Sequence, residues 1–259
     1  MALPSLSQPL VRLFTRYSRG FVRRHFHAVR VLKSHALPSD FRELPIAVFL
    51  NHASWWDPLI CLILAREYFP ARSSFGPIDA RAVSRYGFLT KLGFFPVELG
   101  SARGAALFLQ KAGAILESPR RMLWLTPQGK FTDARARPLS LQRGLAHLAG
   151  RVPPAVFLPL AIEYPFWEER TPEVLLAFGT PLFTQQHQNS CGADDWAGAL
   201  ERTLQDAQDA LAAAAQRRSP DDWQVLLRGA SGTAMLYDAW RRLRAFFRRE
   251  RFQPEHSNL

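Results

Sequence analysis

Residues 46–57 read Ile46-Ala47-Val48-Phe49-Leu50-Asn51-His52-Ala53-Ser54-Trp55-Trp56-Asp57, and Pro58 follows. The first five are continuously apolar and partly β-branched, which suits a strand buried on both faces, as in a parallel sheet covered by helices. After Pro58 the run Leu59-Ile60-Cys61-Leu62-Ile63-Leu64-Ala65-Arg66 reads as a helix, with Asp57 as its expected N-cap and Pro58 at the first helical position. Asp57 then stands at the positive end of a helix dipole, which favours its carboxylate form. His52 stays outside the helix, in the turn. Two helical positions with this spacing would point about 140° apart around the axis, whereas a turn lets the side chains meet. An anionic Asp57 accepting from one imidazole nitrogen fixes the tautomer and leaves the other nitrogen as a base near neutral pH.

On either side of this stretch, strands and helices alternate. Ser74 to Ile78, Phe94 to Val97, Arg121 to Leu125, Val156 to Glu163 and Val174 to Phe178 have strand character. Ser101 is placed to cap a helix over 102–116, and a short helix is expected over 141–149. This alternation predicts an α/β fold: a single domain with a mixed, largely parallel sheet flanked by helices. Asp194 to Arg218 carries Trp196, Leu200, Leu204, Ala207 and Leu211 at helical spacing, and a further helix is expected over 222–251 despite Gly229 and Gly232. The expected division is a basic helical arm over 1–40, the α/β domain over 41–180 and a helical C-terminal extension over 181–259.

The chain has 259 residues, 47% of them hydrophobic, and a formal charge of +11. Its size allows one substantial core, and no repeat of twenty to fifty residues is present. Cys61 and Cys191 are the only cysteines, which form neither a disulfide framework nor a metal cluster and suit a reducing compartment. No run of eighteen apolar residues exists to cross a bilayer, and the N-terminus lacks an apolar signal core, so a cytoplasmic protein is expected. The charge gathers at the two ends. Arg12, Arg16, Arg19, Arg23, Arg24, Arg30 and Lys33 precede the first acidic residue and alternate with Leu10, Val11, Leu13, Phe14, Tyr17, Phe21, Val22, Phe26 and Val29. That is the pattern of a basic amphipathic helix lying apolar face down on an anionic membrane. Trp240 to Phe252 repeats the theme with aromatics among arginines. Basic aromatic helices also bind nucleic acid, but no zinc knuckle, helix-turn-helix, RNA-recognition signature or Walker loop accompanies them.

Asn51-His52 followed by Asp57 resembles the His-x4-Asp signature of the PlsC-like glycerolipid acyltransferases, the group that includes lysophosphatidate acyltransferases. Gly93-Phe94-Phe95-Pro96-Val97-Glu98-Leu99-Gly100, Thr126-Pro127-Gln128-Gly129-Lys130-Phe131 and Phe157-Leu158-Pro159-Leu160-Ala161-Ile162 are similar to the family's later motifs, in order, over about residues 45 to 165. The resemblance implies that His52 acts as general base on an acceptor hydroxyl, oriented by Asp57, and that the oxygen attacks the thioester of an acyl-CoA or acyl-carrier protein. It implies no metal and no cofactor beyond that co-substrate. By position, Asn51, Arg103, Gln128, Gly129 and Lys130 are the candidate substrate-binding residues.

The departures concern the acceptor. Leu99 and Phe131 stand where the family usually has arginines associated with the acceptor's phosphate, and Gln128 stands where it usually has Glu. Guanidinium forks suit phosphate geometrically. Arg103 and Lys130 lie near the vacated positions in sequence and are candidate replacements, or plain solvated cations. The expected acceptor is a lipid or glycolipid hydroxyl lacking a monoester phosphate. Membrane lipids are the expected partners, with no nucleic acid, on the cytoplasmic face of a membrane. A non-catalytic basic protein binding anionic lipid or nucleic acid is the competing expectation.

Overall fold

The computed structural model describes residues 3–38, 43–186 and 192–229. In chain order the regular elements begin with α1 (Gln8–His25), β1 (Ala28–Leu32), β2 (Ile46–Leu50), α2 (Asp57–Tyr68), β3 (Ser73–Asp79), α3 (Ala80–Arg85) and β4 (Phe94–Val97). They continue with α4 (Ala102–Ile115), β5 (Arg121–Leu125), α5 (Arg143–Ala149), β6 (Val156–Glu163), β7 (Val174–Phe178), β8 (Leu182–Phe183), α6 (Ala193–Arg217) and β9 (Trp223–Arg228). The strands form one 9-stranded sheet in the order β4-β3-β5-β2-β6-β7-β1-β9, with β8 paired to the start of β6. From β4 to β6 every pairing is parallel; β7 runs antiparallel to β6, and β1 is parallel to β7. The architecture is the expected single α/β domain with a mixed, mostly parallel sheet.

β2 shows how the sequence builds this arrangement. All five of its residues are buried. Ile46, Val48 and Leu50 face one core with Ile60, Ile63 and Leu64 of α2 and with Val22 and Phe26, while Ala47 and Phe49 face the other with Ile115, Leu145, Leu148, Trp196, Leu200 and Leu204. Side chains alternate across a strand, so a continuously apolar run is what two covered faces require. α2 is likewise apolar around most of its circumference because it lies between the sheet and α1. Each fully buried Leu, Ile or Phe contributes about 1.5–3 kcal/mol.

The ends of the chain depart from expectation. The N-terminal helix stops at His25 and the chain re-enters as β1, an interior strand between β7 and β9. Val29, counted above as part of a helical stripe, is a fully buried strand residue, as is its neighbour Val31. α1 also turns a different face inward. Thr15, Ser18 and Val22 are buried in the packing with α2, with the two hydroxyls donating to the Val11 and Phe14 carbonyls, while Leu13 and Tyr17 are 65% and 55% exposed. Small residues let the two helices approach, and that contact outweighs the apolar periodicity. The helix expected to resume at residue 222 is replaced over Trp223–Arg228 by β9, antiparallel to β1, because Trp223 and Leu227 are buried against the sheet. The boundaries expected near residues 41 and 181 therefore do not divide the sheet. Cys191 and the basic segment 240–252 lie outside the described residues.

Candidate active site

Five parallel strands end at one edge of the sheet, and that edge carries the site. β2 is central, in register with β5 through Ile46↔Met122 and with β6 through Ile46↔Val156, so the loops leaving all three emerge side by side. Ligand sites in open α/β sheets form outside the carboxyl ends of strands for this reason.

The loop after β2 carries His52. Its Nδ1 donates to Asp57 Oδ2 at 2.7 Å, and the Ser54 amide donates to the same oxygen at 3.1 Å. Asp57 is fully buried and His52 is 19% exposed. An ionised Asp57 accepts, so Nδ1 holds the proton and Nε2 is left as the acceptor. Asp57 is the first residue of α2, whose N-cap is Trp56, rather than the N-cap itself. Its carboxylate turns back to the loop instead of capping the helix, which frees it for the imidazole. The other carboxylate oxygen, Oδ1, accepts the Tyr164 hydroxyl at 2.6 Å. Burial, then the Asp57 charge, push the Tyr164 phenol well above its ordinary range, so it remains a donor. Cys61, one turn along α2, is raised by burial and then by the same charge and stays a neutral thiol.

A second loop braces the first. Gln128 Oε1 accepts the His52 amide at 2.8 Å, and the His52 carbonyl accepts the Thr132 amide at 2.9 Å. Gly129 between them has φ +69, a conformation that side chains strain, although the space beside it would hold a Cβ in ordinary contact. Phe131 packs on the imidazole.

His52 and Asp57 line a cavity of about 670 Å³ that runs among the ends of β2 to β5 and the start of α4. Its walls are mostly apolar, from Leu62, Phe75, Leu92, Phe94, Val97 and Phe108 among others, and its size is that of a pocket for an extended apolar group. Asp79 and Glu98 are among its lining residues; no lysine or arginine among the described residues is. Gly93 lets the chain enter β4 beside the cavity: at φ +98 its position leaves a Cβ only 2.2 Å from the Ser74 carbonyl oxygen.

The structure thus brings His52, Asp57 and Gly129 together at the cavity, with Gln128 buried behind His52. Asn51 is elsewhere. Its amide is buried, donating to the Ile162 carbonyl at 3.0 Å and accepting the Ile162 amide at 2.9 Å, which stitches the end of β2 to β6. Arg103 and Lys130 are exposed, outside the cavity lining, and in no ion pair with a described residue. Leu99 is 64% exposed and forms part of the cavity wall. Trp55 and Trp56 stack on one another and against Phe21 of α1 rather than lining the cavity. Among the described residues no group of three or more His, Cys, Asp or Glu side chains is placed to hold a metal ion. Tyr164 was missed by sequence reasoning because it belongs to none of the four motifs; its only signal is a tyrosine just past the end of a strand beside β2.

No described helix is long and apolar enough to cross a membrane. No protein-family model matches the chain, and no curated protein matches its sequence.

Proposed function

We propose that the chain is an O-acyltransferase that moves a fatty acyl group from the thioester of acyl-CoA or acyl-carrier protein to the hydroxyl of a lipid acceptor. The observation that carries this reading is the His52–Asp57 pair at the wall of a large apolar cavity. His52 Nε2 takes the proton of the acceptor hydroxyl as its oxygen attacks the thioester carbonyl. The tetrahedral intermediate then expels the thiolate, which recovers the proton from the imidazolium, while Asp57 holds the ring and balances its transient charge. The cavity receives the acyl chain. With carboxylates and no lysine or arginine among the described residues of its walls, the acceptor is a hydroxyl-bearing lipid without a phosphate monoester.

The same reading places the protein peripherally on the cytoplasmic face of a membrane. α1 has no acidic residue, and Tyr17, Trp55, Tyr86 and Phe88 are exposed near one another through ring contacts from Phe14 to Tyr17 and Phe88 and from Phe21 to Tyr17 and Trp55. Aromatic and basic side chains together suit the headgroup layer of an anionic bilayer. The deciding experiment is acyl transfer from acyl-CoA to a panel of lysophospholipids, lysoglycolipids and neutral lipid alcohols, with His52→Ala as control. The variant should lose about 10²–10⁴-fold in rate. Equal transfer by both proteins would end the proposal.

A further inference from the structure

The Asp57 carboxylate is engaged on both oxygens, and only one side of that arrangement belongs to the motifs. Oδ2 accepts from His52 and from the Ser54 amide, whereas Oδ1 accepts from Tyr164 alone among the described residues. Tyr164 is held where it can do this by three features. It directly follows β6, whose register with β2 is fixed by Leu50↔Leu160 and by the two Asn51–Ile162 hydrogen bonds. Phe26, at the end of α1, packs its ring 5.6 Å from the Tyr164 ring and 4.8 Å from Trp56. The phenol is also enclosed beside the fully buried Asp57, where an orphaned carboxylate oxygen would be costly.

We propose that Tyr164 is a positioning residue of this site. Its hydroxyl locks the Asp57 carboxylate so that Oδ2 faces His52 Nδ1, and it withdraws part of the charge that the imidazole would otherwise meet. The inference rests on the acyl-transfer reading for its catalytic consequence, but the tyrosine–aspartate–histidine chain itself does not. Among the described residues three titratable groups surround the carboxylate: His52, Tyr164 and Cys61. Cys61 is held as a neutral thiol, so Tyr164 is the group whose removal changes the charge His52 meets. Without the phenol, Asp57 becomes the more basic partner, and the imidazolium opposite it is stabilised.

The test is Tyr164→Phe, which keeps the ring and its packing. The His52 imidazole is followed by NMR across pH in the wild type and the variant, beside acyl-transfer kinetics and thermal melting. The midpoint of the His52 titration should move to higher pH by about half a unit or more. The value of kcat should fall about tenfold with KM little changed, the pattern for loss of an interaction that matters in the transition state. In an Asp57→Asn background the same change should add no further loss of rate, because the two residues act as one unit. An unmoved midpoint, or an equal loss in the Asp57→Asn background, overturns the proposal, whatever the melting temperature does. If the wild type transfers no acyl group, the functional reading fails, and the NMR midpoint alone decides the role of Tyr164.

Discussion

The ring of Phe131 lies 4.4 Å from the imidazole of His52, tilted by 44°. An apolar ring thus covers the candidate base at a position where the resembled family carries an arginine. Placing a cation there changes two things at once. Phe131→Arg sets a guanidinium beside the imidazole, which disfavours the imidazolium formed during transfer, and it supplies a fork for phosphate. Turnover of neutral acceptors should fall about tenfold, and the ratio of kcat/KM for phosphate-bearing over neutral acceptors should rise about tenfold. An unchanged ratio would show that the acceptor headgroup binds away from this ring.

Asn51 separates recognition from architecture. Its amide bonds both backbone groups of Ile162 inside the protein. Asn51→Ala leaves a buried N–H and a buried C=O unpaired and should cost about 2–4 kcal/mol of stability. Chemical denaturation reads this directly. A fully stable variant with a raised KM would return Asn51 to the substrate.

A second buried cluster sits at the same edge of the sheet, where β1 and β7 begin. His27 Nδ1 donates to Glu173, and Arg30 Nε donates to the same carboxylate at 2.9 Å. The hydrogen bond that His27 donates to Glu173 outweighs burial and raises His27 above its ordinary 6.5. Burial alone would raise Glu173, but the His27 and Arg30 hydrogen bonds and charges hold it below 4.5. A raised histidine contributes fully below 6.5 and loses its contribution as pH rises through its folded value; a lowered carboxylate contributes above 4.5 and loses it as pH falls. The cluster is therefore most stabilising between those two values. His27→Gln should cost about 1–3 kcal/mol near pH 5.5, and its Tm deficit should shrink toward pH 9. A deficit that stays constant over that range would mean that the histidine contributes packing alone.

Vesicle sedimentation addresses the aromatic face. Tyr17→Ser, Trp55→Ser and Phe88→Ser combined should weaken binding to vesicles containing anionic lipid by about tenfold or more, at about 1 kcal/mol for each interfacial aromatic or basic group. Raised salt should weaken wild-type binding as well. Binding that ignores both changes would exclude this face as the contact.

The centre of the fold was legible because its code is local. Ile46 to Leu50 announces its two covered faces by composition alone, and the turn from Asn51 to Asp57 is short enough that spacing predicts the meeting of His52 and Asp57. The ends were not legible. Val29 sits among arginines at an interval that fits a helix, and only pairing with Val174 makes it a strand residue. Trp223 to Arg228 becomes a strand because β1 offers it an edge. Tyr164 and Glu173 are far from their partners in sequence, so neither leaves a local trace. Arg103 and Lys130 lie near Leu99 and Phe131 in sequence, but the backbone leaves both exposed and outside the cavity lining.

The position of β1 inside the sheet has a practical consequence. The arginine-rich beginning of the chain looks detachable, and cutting at residue 40 would be the natural way to seek a smaller catalytic fragment. That cut removes a strand with neighbours on both sides, strands β9 from its partner, withdraws His27 from Glu173 and uncovers the ring of Tyr164 by deleting Phe26. The arginine-rich segment that contains α1 and β1 also completes the scaffold behind Asp57.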